Sequence, residues 1–194
     1  MSKHADTKEI ILNTSSNLFH IQGYNGTGLS QIIKESGAPR GSLYYHFPGG
    51  KEEIALEAIA RMRTAVAEDL EKSLRPGMDV GEALKQHILD IADMFERGEP
   101  GEGVPIGLIA SETSICNENL RLACKQTYQH WNRFYVQALE ASGYSKERAE
   151  DLGISIHAMI EGAFILAKTM VNGEPLRAIA RQMPYLLSKE KEER

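Results

Sequence analysis

Residues 27–51, TGLSQIIKESGAPRGSLYYHFPGGK, decide the fold of this chain. Leu29 and Ile32 recur at helical spacing, and Gly37 stands where a left-handed residue ends a helix. Pro39 then suits the first turn of a second short helix. Two short helices that meet at a glycine-containing turn are typical of a helix-turn-helix, so the stretch predicts a DNA-binding unit.

The second helix of this pair crowds hydrogen-bond donors into less than two turns. Leu43 and Phe47 can face the first helix, which leaves the donors on the other side. A helix that serves only for packing does not need these donors. Arg40 lies at the start of the helix, where a major-groove probe meets base edges, and its planar fork can grip a guanine at N7 and O6.

Other polar residues around the turn are predicted to fix the protein on the DNA backbone, because phosphate contacts position a protein without choosing a sequence. Each residue alone would also suit an ordinary exposed polar face, and their joint occurrence favours DNA. We expect Thr27, Tyr45, His46 and Lys51 at phosphates. The full predicted set of DNA-binding residues is Thr27, Ser30, Arg40, Gly41, Ser42, Tyr44, Tyr45, His46 and Lys51.

The glycine turn, the run RGSLYYHF and the lysine that opens the next helix resemble the DNA-binding domain of the TetR family of transcriptional repressors. The string HFPGGKEE, residues 46–53, is similar to the branch of lincomycin-resistance and flavonoid-responsive regulators. The resemblance covers residues 8 to about 60 and is architectural beyond them. It implies a repressor that a small effector releases from DNA.

Length and charge agree with two domains. A chain of 194 residues holds a small DNA-binding domain and a larger helical domain with its own core. The formal net charge is −5, yet residues 1–51 carry +2, so the remainder carries −7. An acidic body confines DNA contact to the basic end. We predict a helix-turn-helix domain at 1–50, a ligand-binding and dimerisation domain at 51–188, and a charged tail at 189–194.

Helical periodicity continues along the rest of the chain, and no alternating strand pattern interrupts it. The sequence therefore predicts an all-α protein. A first helix is expected from a cap at Asp6 or Thr7 to about Gln22, and Gly98 to Pro105 is expected to form a loop. The other predicted helices run from Gly50 to before Pro76 and near 80–97, 106–113, 117–142, 146–172 and 174–188.

One segment of the body, DLGISIHAMIEGAFILAKTMV at 151–171, is apolar on nearly every side of a helix. Such a helix is buried, either inside one chain or between two. A single helix-turn-helix grips little DNA, so a two-fold dimer on a palindromic operator is the usual solution. The family resemblance favours a four-helix bundle made from this helix and 174–188 of each subunit.

Aromatic walls with a few polar tips suit a flat, mostly apolar effector. Ordinary core packing is the alternative for each of these residues. His157 and Glu161 stand one helical turn apart, and without a third ligand nearby they are weak evidence for a metal, so we predict neither metal nor cofactor. The predicted ligand-binding residues are His87, Met94, Phe95, Tyr128, Trp131, Tyr135, His157, Met159 and Glu161, and Phe134 is also expected around the cavity.

Two other classes of protein stay open. The first is a small helical enzyme that uses His157 and Glu161 as an acid–base pair, although no nucleophile motif or phosphate loop accompanies them. The second is an interaction module that has lost its ligand. We expect no enzyme.

The sequence also bears on the compartment. Cys116 and Cys124 are too few for a disulfide scaffold, and their separation disfavours a redox-sensing pair. The amino terminus lacks the layout of a signal peptide, and we expect no apolar stretch long enough to span a bilayer. These features predict a cytoplasmic protein without a membrane partner.

Overall fold

A computed structural model of the chain describes residues 3–97 and 106–188, with side chains from Thr7 onward. These residues form nine α-helices and no strand, which confirms the all-α prediction. The predicted loop at 98–105 and the predicted tail at 189–194 lie outside the described residues. The helices are α1 Lys3–Gln22, α2 Leu29–Ser36, α3 Arg40–His46, α4 Gly50–Ser73, α5 Val80–Glu96, α6 Gly107–Thr113, α7 Glu118–Ala141, α8 Lys146–Met170 and α9 Glu174–Leu186.

Local signals set most of these helix ends. Gly37 ends α2 in the left-handed region, with φ of 66°, as a glycine does at low cost. The Asp79 side chain accepts from the backbone N–H of Glu82 at the start of α5, and such a cap stabilises a helix by about 1 kcal/mol. The exception is α1, which begins at Lys3 and not at the predicted cap, since residues 3–6 include no glycine or proline to stop it.

The described chain divides by its contacts into two compact units. The first comprises Met1–Thr64 with Val104–Tyr128, and the second comprises Ala65–Gly103 with Gln129–Arg194. α4 and α7 each contribute residues to both units. The predicted domains at 1–50 and 51–188 are a division by function and stay a prediction, because contacts divide the chain elsewhere.

The first unit packs α2 and α3 against α1. Phe19, Leu43 and Phe47 are almost fully buried there, and burial of each such side chain contributes about 1.5–3 kcal/mol. Leu43 and Phe47 are thus on the inner side of α3, as predicted. An ion pair of 2.7 Å joins Lys8 of α1 to Glu57 of α4.

The second unit is organised around α9, which packs on α5 and α8. A methyl group added at Gly81 would lie 3.4 Å from the Cα of Pro184, so α5 and α9 approach closely at this point. At the other end of α5, the Arg177 guanidinium lies 2.7 Å from the carboxylates of Asp93 and Glu96. These interactions fix α9 along α5.

One helix corrects an expectation from the sequence. α8, Lys146–Met170, is long and apolar enough to cross a membrane when length and composition alone are considered. The sequence prediction of no such stretch is therefore wrong by this measure, which tolerates the charged residues Glu161 and Lys168 within the apolar segment. Leu152, Ile156 and Ile160 of this helix are buried inside the chain, which is the ordinary position of a core helix.

Candidate DNA interface and ligand site

The two sides of α3 differ sharply in exposure. Leu43 and Phe47 are buried, whereas Arg40, Gly41 and Tyr44 are exposed. Tyr45 is 75% exposed. Because α3 has only seven residues, its exposed side presents a guanidinium and two phenol groups within a single short segment. This arrangement suits contact with another molecule more than internal packing.

The remaining predicted residues near α3 are partly covered. Ser42 and His46 are half-buried, and the His46 ring meets the Tyr45 ring edge-on at 5.0 Å. Ser30, on α2, is exposed. Ser30 and Ser42 extend the exposed side of α3 along its edges, whereas the Nε2 atom of His46 is buried.

Thr27 departs from the prediction. Its side chain is fully buried, and its hydroxyl donates to the carbonyl of Gly23 at 2.7 Å. A hydroxyl whose proton is used inside the fold is not available to a phosphate. Thr27 therefore closes the turn between α1 and α2, and we remove it from the set of DNA contacts.

The Lys51 side chain is held by contacts with Tyr24 that the sequence did not indicate. Its ammonium donates to the carbonyl of Tyr24 at 3.1 Å and lies 4.1 Å from the centre of the Tyr24 ring. The carbonyl and the ring leave further N–H donors of the ammonium for another acceptor. Tyr24 is thus a supporting residue that the sequence did not reveal, because it lies far from Lys51 along the chain.

Four of the predicted ligand residues meet between α7 and α8 in the second unit. The His157 ring lies 5.9 Å from Trp131 and 5.8 Å from Tyr135, centre to centre. Burial lowers the pKa of His157 to about 4, so its imidazole is neutral at pH 7. Burial also raises the pKa of Tyr135, and the negative charge of Glu161 adds to that shift. We call Trp131, Tyr135, His157 and Glu161 the aromatic cluster.

The other predicted ligand residues are more scattered. His87 is buried on α5, and burial lowers its pKa while Asp69 and Asp90 oppose the shift. Phe95 packs edge-on against Phe164 at 5.8 Å. Met94 and Met159 are half-buried. Tyr128 belongs to the first unit, and the remaining predicted ligand residues belong to the second.

A groove of about 910 Å³ lies elsewhere in the second unit. The turn between α4 and α5 and the ends of α7 and α9 line it. Its lining includes charged side chains such as Glu71, Arg75 and Glu82, and Phe134 is the one predicted cavity residue among the lining residues.

The His, Cys, Asp and Glu side chains bear on the metal and enzyme alternatives. Within residues 3–97 and 106–188, no group of three or more His, Cys, Asp and Glu side chains could hold a metal ion. A His157 with its pKa near 4 is a poor proton donor or acceptor at neutral pH. Cys116 is exposed and Cys124 is buried, so the two thiols lie in different environments.

Family comparisons agree with both halves of the chain. Residues 11–58 match the family described as "Bacterial regulatory proteins, tetR family". Residues 80–182 match "Transcriptional regulator LmrA/YxaF-like, C-terminal domain". The second match alone covers more than half of the chain.

Known proteins resemble the chain over its whole length. It is 42% identical to the HTH-type transcriptional regulator LmrA of Bacillus subtilis (strain 168), over 96% of this chain and 99% of that protein. Identity is also 42% to YxaF of the same strain, an uncharacterized HTH-type transcriptional regulator, with 97% and 99% covered. A TetR transcriptional regulator from Legionella pneumophila shares the fold, with a TM-score of 0.84, 21% identity and coverage of 97% and 99%. The chain therefore belongs to the TetR family of transcriptional regulators, in the group with an LmrA/YxaF-like C-terminal domain, and it is a regulator and not an enzyme.

Proposed function

We propose that this regulator is a homodimeric repressor. It binds a palindromic operator through the exposed side of α3 and through Lys51, and a small, mostly apolar or aromatic effector releases it. The observation that carries the proposal is the exposed side of α3, where Arg40, Tyr44 and Tyr45 stand opposite the buried Leu43.

Each group on α3 suits one kind of DNA contact. Arg40 at the first position of the helix reads a guanine through two parallel hydrogen bonds. Gly41 permits a close approach to the base edges, and Tyr44 lays its ring against a thymine methyl. Tyr45, His46 and Lys51 bind phosphates and set the register. Ser30 and Ser42 complete this surface.

The apolar side of α8 supports a homodimer. Ile154, Ile165 and Leu166 are exposed on this helix, and Tyr185 is 75% exposed on α9. Gly162 lies on the same side of α8, and apart from its own helical turn no atom of residues 3–97 and 106–188 would stand within 4 Å of a methyl group added there. Monomeric proteins rarely expose continuous apolar surface of this kind, and a second copy of the chain would cover it.

The aromatic cluster supports an apolar or aromatic effector. Trp131 and Tyr135 provide flat walls, and His157 is a neutral polar group between them. The effector needs to bind the DNA-incompetent conformation more tightly by about 1–3 kcal/mol to release the operator. α4 contains residues of both units, so a shift of α4 is the route that we propose from the effector to DNA.

Selection of DNA from a random pool of duplexes by the full-length protein tests the proposal. We expect a palindrome with half-site centres ~34–36 Å apart, or a multiple of that distance. Sedimentation of the protein with and without the selected duplex should give an even number of chains in both cases. Enrichment of a single asymmetric site by one chain would contradict the proposal.

A family member with no effector is the remaining alternative, and the groove is the competing effector site. Ala141 lines the groove and is exposed, and it lies six positions beyond Tyr135 on α7, so Ala141→Trp obstructs the groove away from the aromatic cluster. An effector that still acts on this variant and fails on Trp131→Ala binds at the cluster. The reverse result assigns the effector to the groove, and no compound acting on either protein favours a regulator without an effector.

A further inference from the structure

The peptide group between Tyr24 and Asn25 is held from both sides by charged groups. Its carbonyl accepts from the Lys51 ammonium at 3.1 Å. Its N–H donates to Oε2 of Glu112 at 2.8 Å. Hydrogen bonds with one ionised partner are about twice as strong as neutral ones, so this single peptide links a carboxylate of α6 to an ammonium of α4.

Gly23 makes room for this arrangement. Its φ is 79°, in the left-handed region, and a methyl group added there would overlap Oε1 of Glu112. The Glu112 carboxylate therefore occupies the space of a side chain at position 23. The left-handed backbone favours glycine here, and a larger residue at position 23 would displace the Glu112 carboxylate.

A second carboxylate fixes the chain that follows α6. Glu52 accepts from the side-chain amide of Asn117 at 2.9 Å and from that of Asn119 at 2.8 Å. These hydrogen bonds lower the pKa of Glu52. Asn117 is itself fixed, because its Oδ1 caps α7 by accepting from the N–H of Leu120 at 2.9 Å.

These hydrogen bonds form a closed circuit within the first unit. Lys51 and Glu52 are consecutive residues at the start of α4. Lys51 is connected to Glu112 of α6 by hydrogen bonds to the Tyr24–Asn25 peptide. Glu52 is connected by a hydrogen bond to Asn117, which follows α6. The position of the Lys51 ammonium thus depends on α6, which lies about sixty residues further along the chain.

We infer that Glu112 is a positioning residue for DNA binding, acting through the Tyr24–Asn25 peptide on Lys51. This inference rests on the proposed phosphate contact of Lys51. Without Glu112 the peptide is held only at its carbonyl, which accepts from Lys51 and from the backbone N–H of Thr27 at 3.2 Å. The peptide can then tilt, which shifts the carbonyl relative to the ammonium, and Lys51 meets phosphate less well. Glu52 with Asn117 and Asn119 anchors the segment that carries Glu112.

The direction in which one mutation changes DNA affinity distinguishes a positioning role from simple charge repulsion. Removing a carboxylate near DNA strengthens phosphate binding when only the charge matters. A positioning role predicts the opposite. We expect Glu112→Ala to weaken binding of the full-length protein to its selected duplex about tenfold, the scale of one charged hydrogen bond. Glu112→Gln keeps an acceptor for the Asn25 N–H and should recover most of the affinity.

The matched control is Glu118→Ala, which removes an exposed carboxylate of the same segment that pairs with Arg121 and does not touch the peptide. It should leave DNA affinity unchanged or slightly higher. Thermal melts of all variants should stay within a few degrees of the wild type, since a general loss of stability would lower the melting temperature together with affinity.

A double-mutant cycle with Lys51→Ala closes the test. Lys51→Ala should flatten the dependence of log affinity on log salt by up to ~0.9 for each phosphate that the protein no longer neutralises. Glu112→Ala should flatten it too, and in the Lys51→Ala background it should change affinity by less than about twofold. Additive effects, or a Glu112→Ala protein that behaves like the Glu118→Ala control, would overturn the inference while the DNA interface stands. An unchanged salt dependence in Lys51→Ala would overturn the phosphate contact and the inference together.

Discussion

The guanidinium carbon of Arg40 lies 5.8 Å from the centre of the Tyr44 ring. The residues are four positions apart, so they are neighbours on the exposed side of α3. An exposed interaction of a cation with an aromatic ring is worth about 0.5–1 kcal/mol, whereas a bidentate pair with guanine is worth about 1–3 kcal/mol. The ring therefore orders Arg40 in the unbound protein, and a guanine can still displace it.

Arg40→Ala should relax base preference at one position of each half-site and cost about 1–3 kcal/mol for each guanine that is no longer bound. The reason is that only a directed hydrogen-bonding fork distinguishes guanine from the other bases at that point. Binding selection on the variant measures the preference. Lys51→Ala is the contrasting control, because it should weaken all duplexes alike. Unchanged base preference in Arg40→Ala would remove this residue from sequence readout.

Gly162→Glu should yield monomers or aggregates. Apart from its own helical turn, no atom of the described residues lies within 4 Å of a methyl group added at Gly162, so the described chain leaves room for a side chain there. A partner copy would instead bury the new charge, which is costly. Gly162→Ala is the matched control and should remain dimeric or weaken the dimer only mildly. A well-folded dimer of Gly162→Glu in sedimentation would place the interface elsewhere.

Trp131→Ala should weaken the effector response and leave DNA binding in the absence of effector nearly intact. With the wild type, a planar aromatic compound such as a flavonol should quench the fluorescence of Trp131, the only tryptophan of the chain. It should lower operator affinity over the same concentration range, because linkage makes the two effects reciprocal. Fluorescence and DNA titrations measure the two curves.

Trp131 is also 3% exposed, so its removal has a structural alternative. A cavity in the core would cost about 3–5 kcal/mol and damage both activities together. A thermal melt beside the DNA titration distinguishes this outcome from a specific defect in effector binding. A folded Trp131→Ala protein with a full effector response would show that the effector binds outside the aromatic cluster.

Acid should destabilise the second unit through His157. Its pKa falls from 6.5 to about 4 on folding, so between these values the unfolded chain binds more protons than the folded one. The free energy of unfolding therefore decreases as the pH falls from 6.5, by about 2 kcal/mol at pH ~5 and about 3 kcal/mol below pH ~4. Denaturant titrations at several pH values measure this decrease.

His157→Phe is the matched variant, since it keeps a ring between Trp131 and Tyr135 and cannot titrate. The variant should lose the part of the pH dependence of unfolding that comes from His157. It should keep the part from His87, because burial lowers the pKa of His87 as well. An identical pH dependence in wild type and variant would mean that His157 is accessible to protons in the folded protein.

Local sequence signals predicted the helices well, because each end depends on residues close to it. Gly37 and Asp79 end and begin helices by their own conformation and side chain, and no distant partner is needed. The spacing of Leu43 and Phe47 also indicated which side of α3 is buried. The exposed residues of α3 then followed from the same spacing.

The aromatic cluster was predictable only in part. Trp131 and Tyr135 lie one turn apart on α7, as His157 and Glu161 do on α8, so each pair shares a side of its helix. Tyr128 has the same aromatic character, yet it belongs to the other compact unit. Residue type and spacing cannot say where one unit ends along a continuous helix.

By itself the sequence determined the nine helices of the described chain, the helix-turn-helix and the family, since all of these depend on short-range periodicity, caps and turns. Only the tertiary structure decided that Thr27 is buried and that Glu112 reaches the peptide between Tyr24 and Asn25. Those two outcomes depend on which groups satisfy buried or strained backbone, and the Glu112 carboxylate comes from a distant part of the chain. Glu112 and Asn25 are 87 positions apart, and no local pattern encodes a hydrogen bond over that separation.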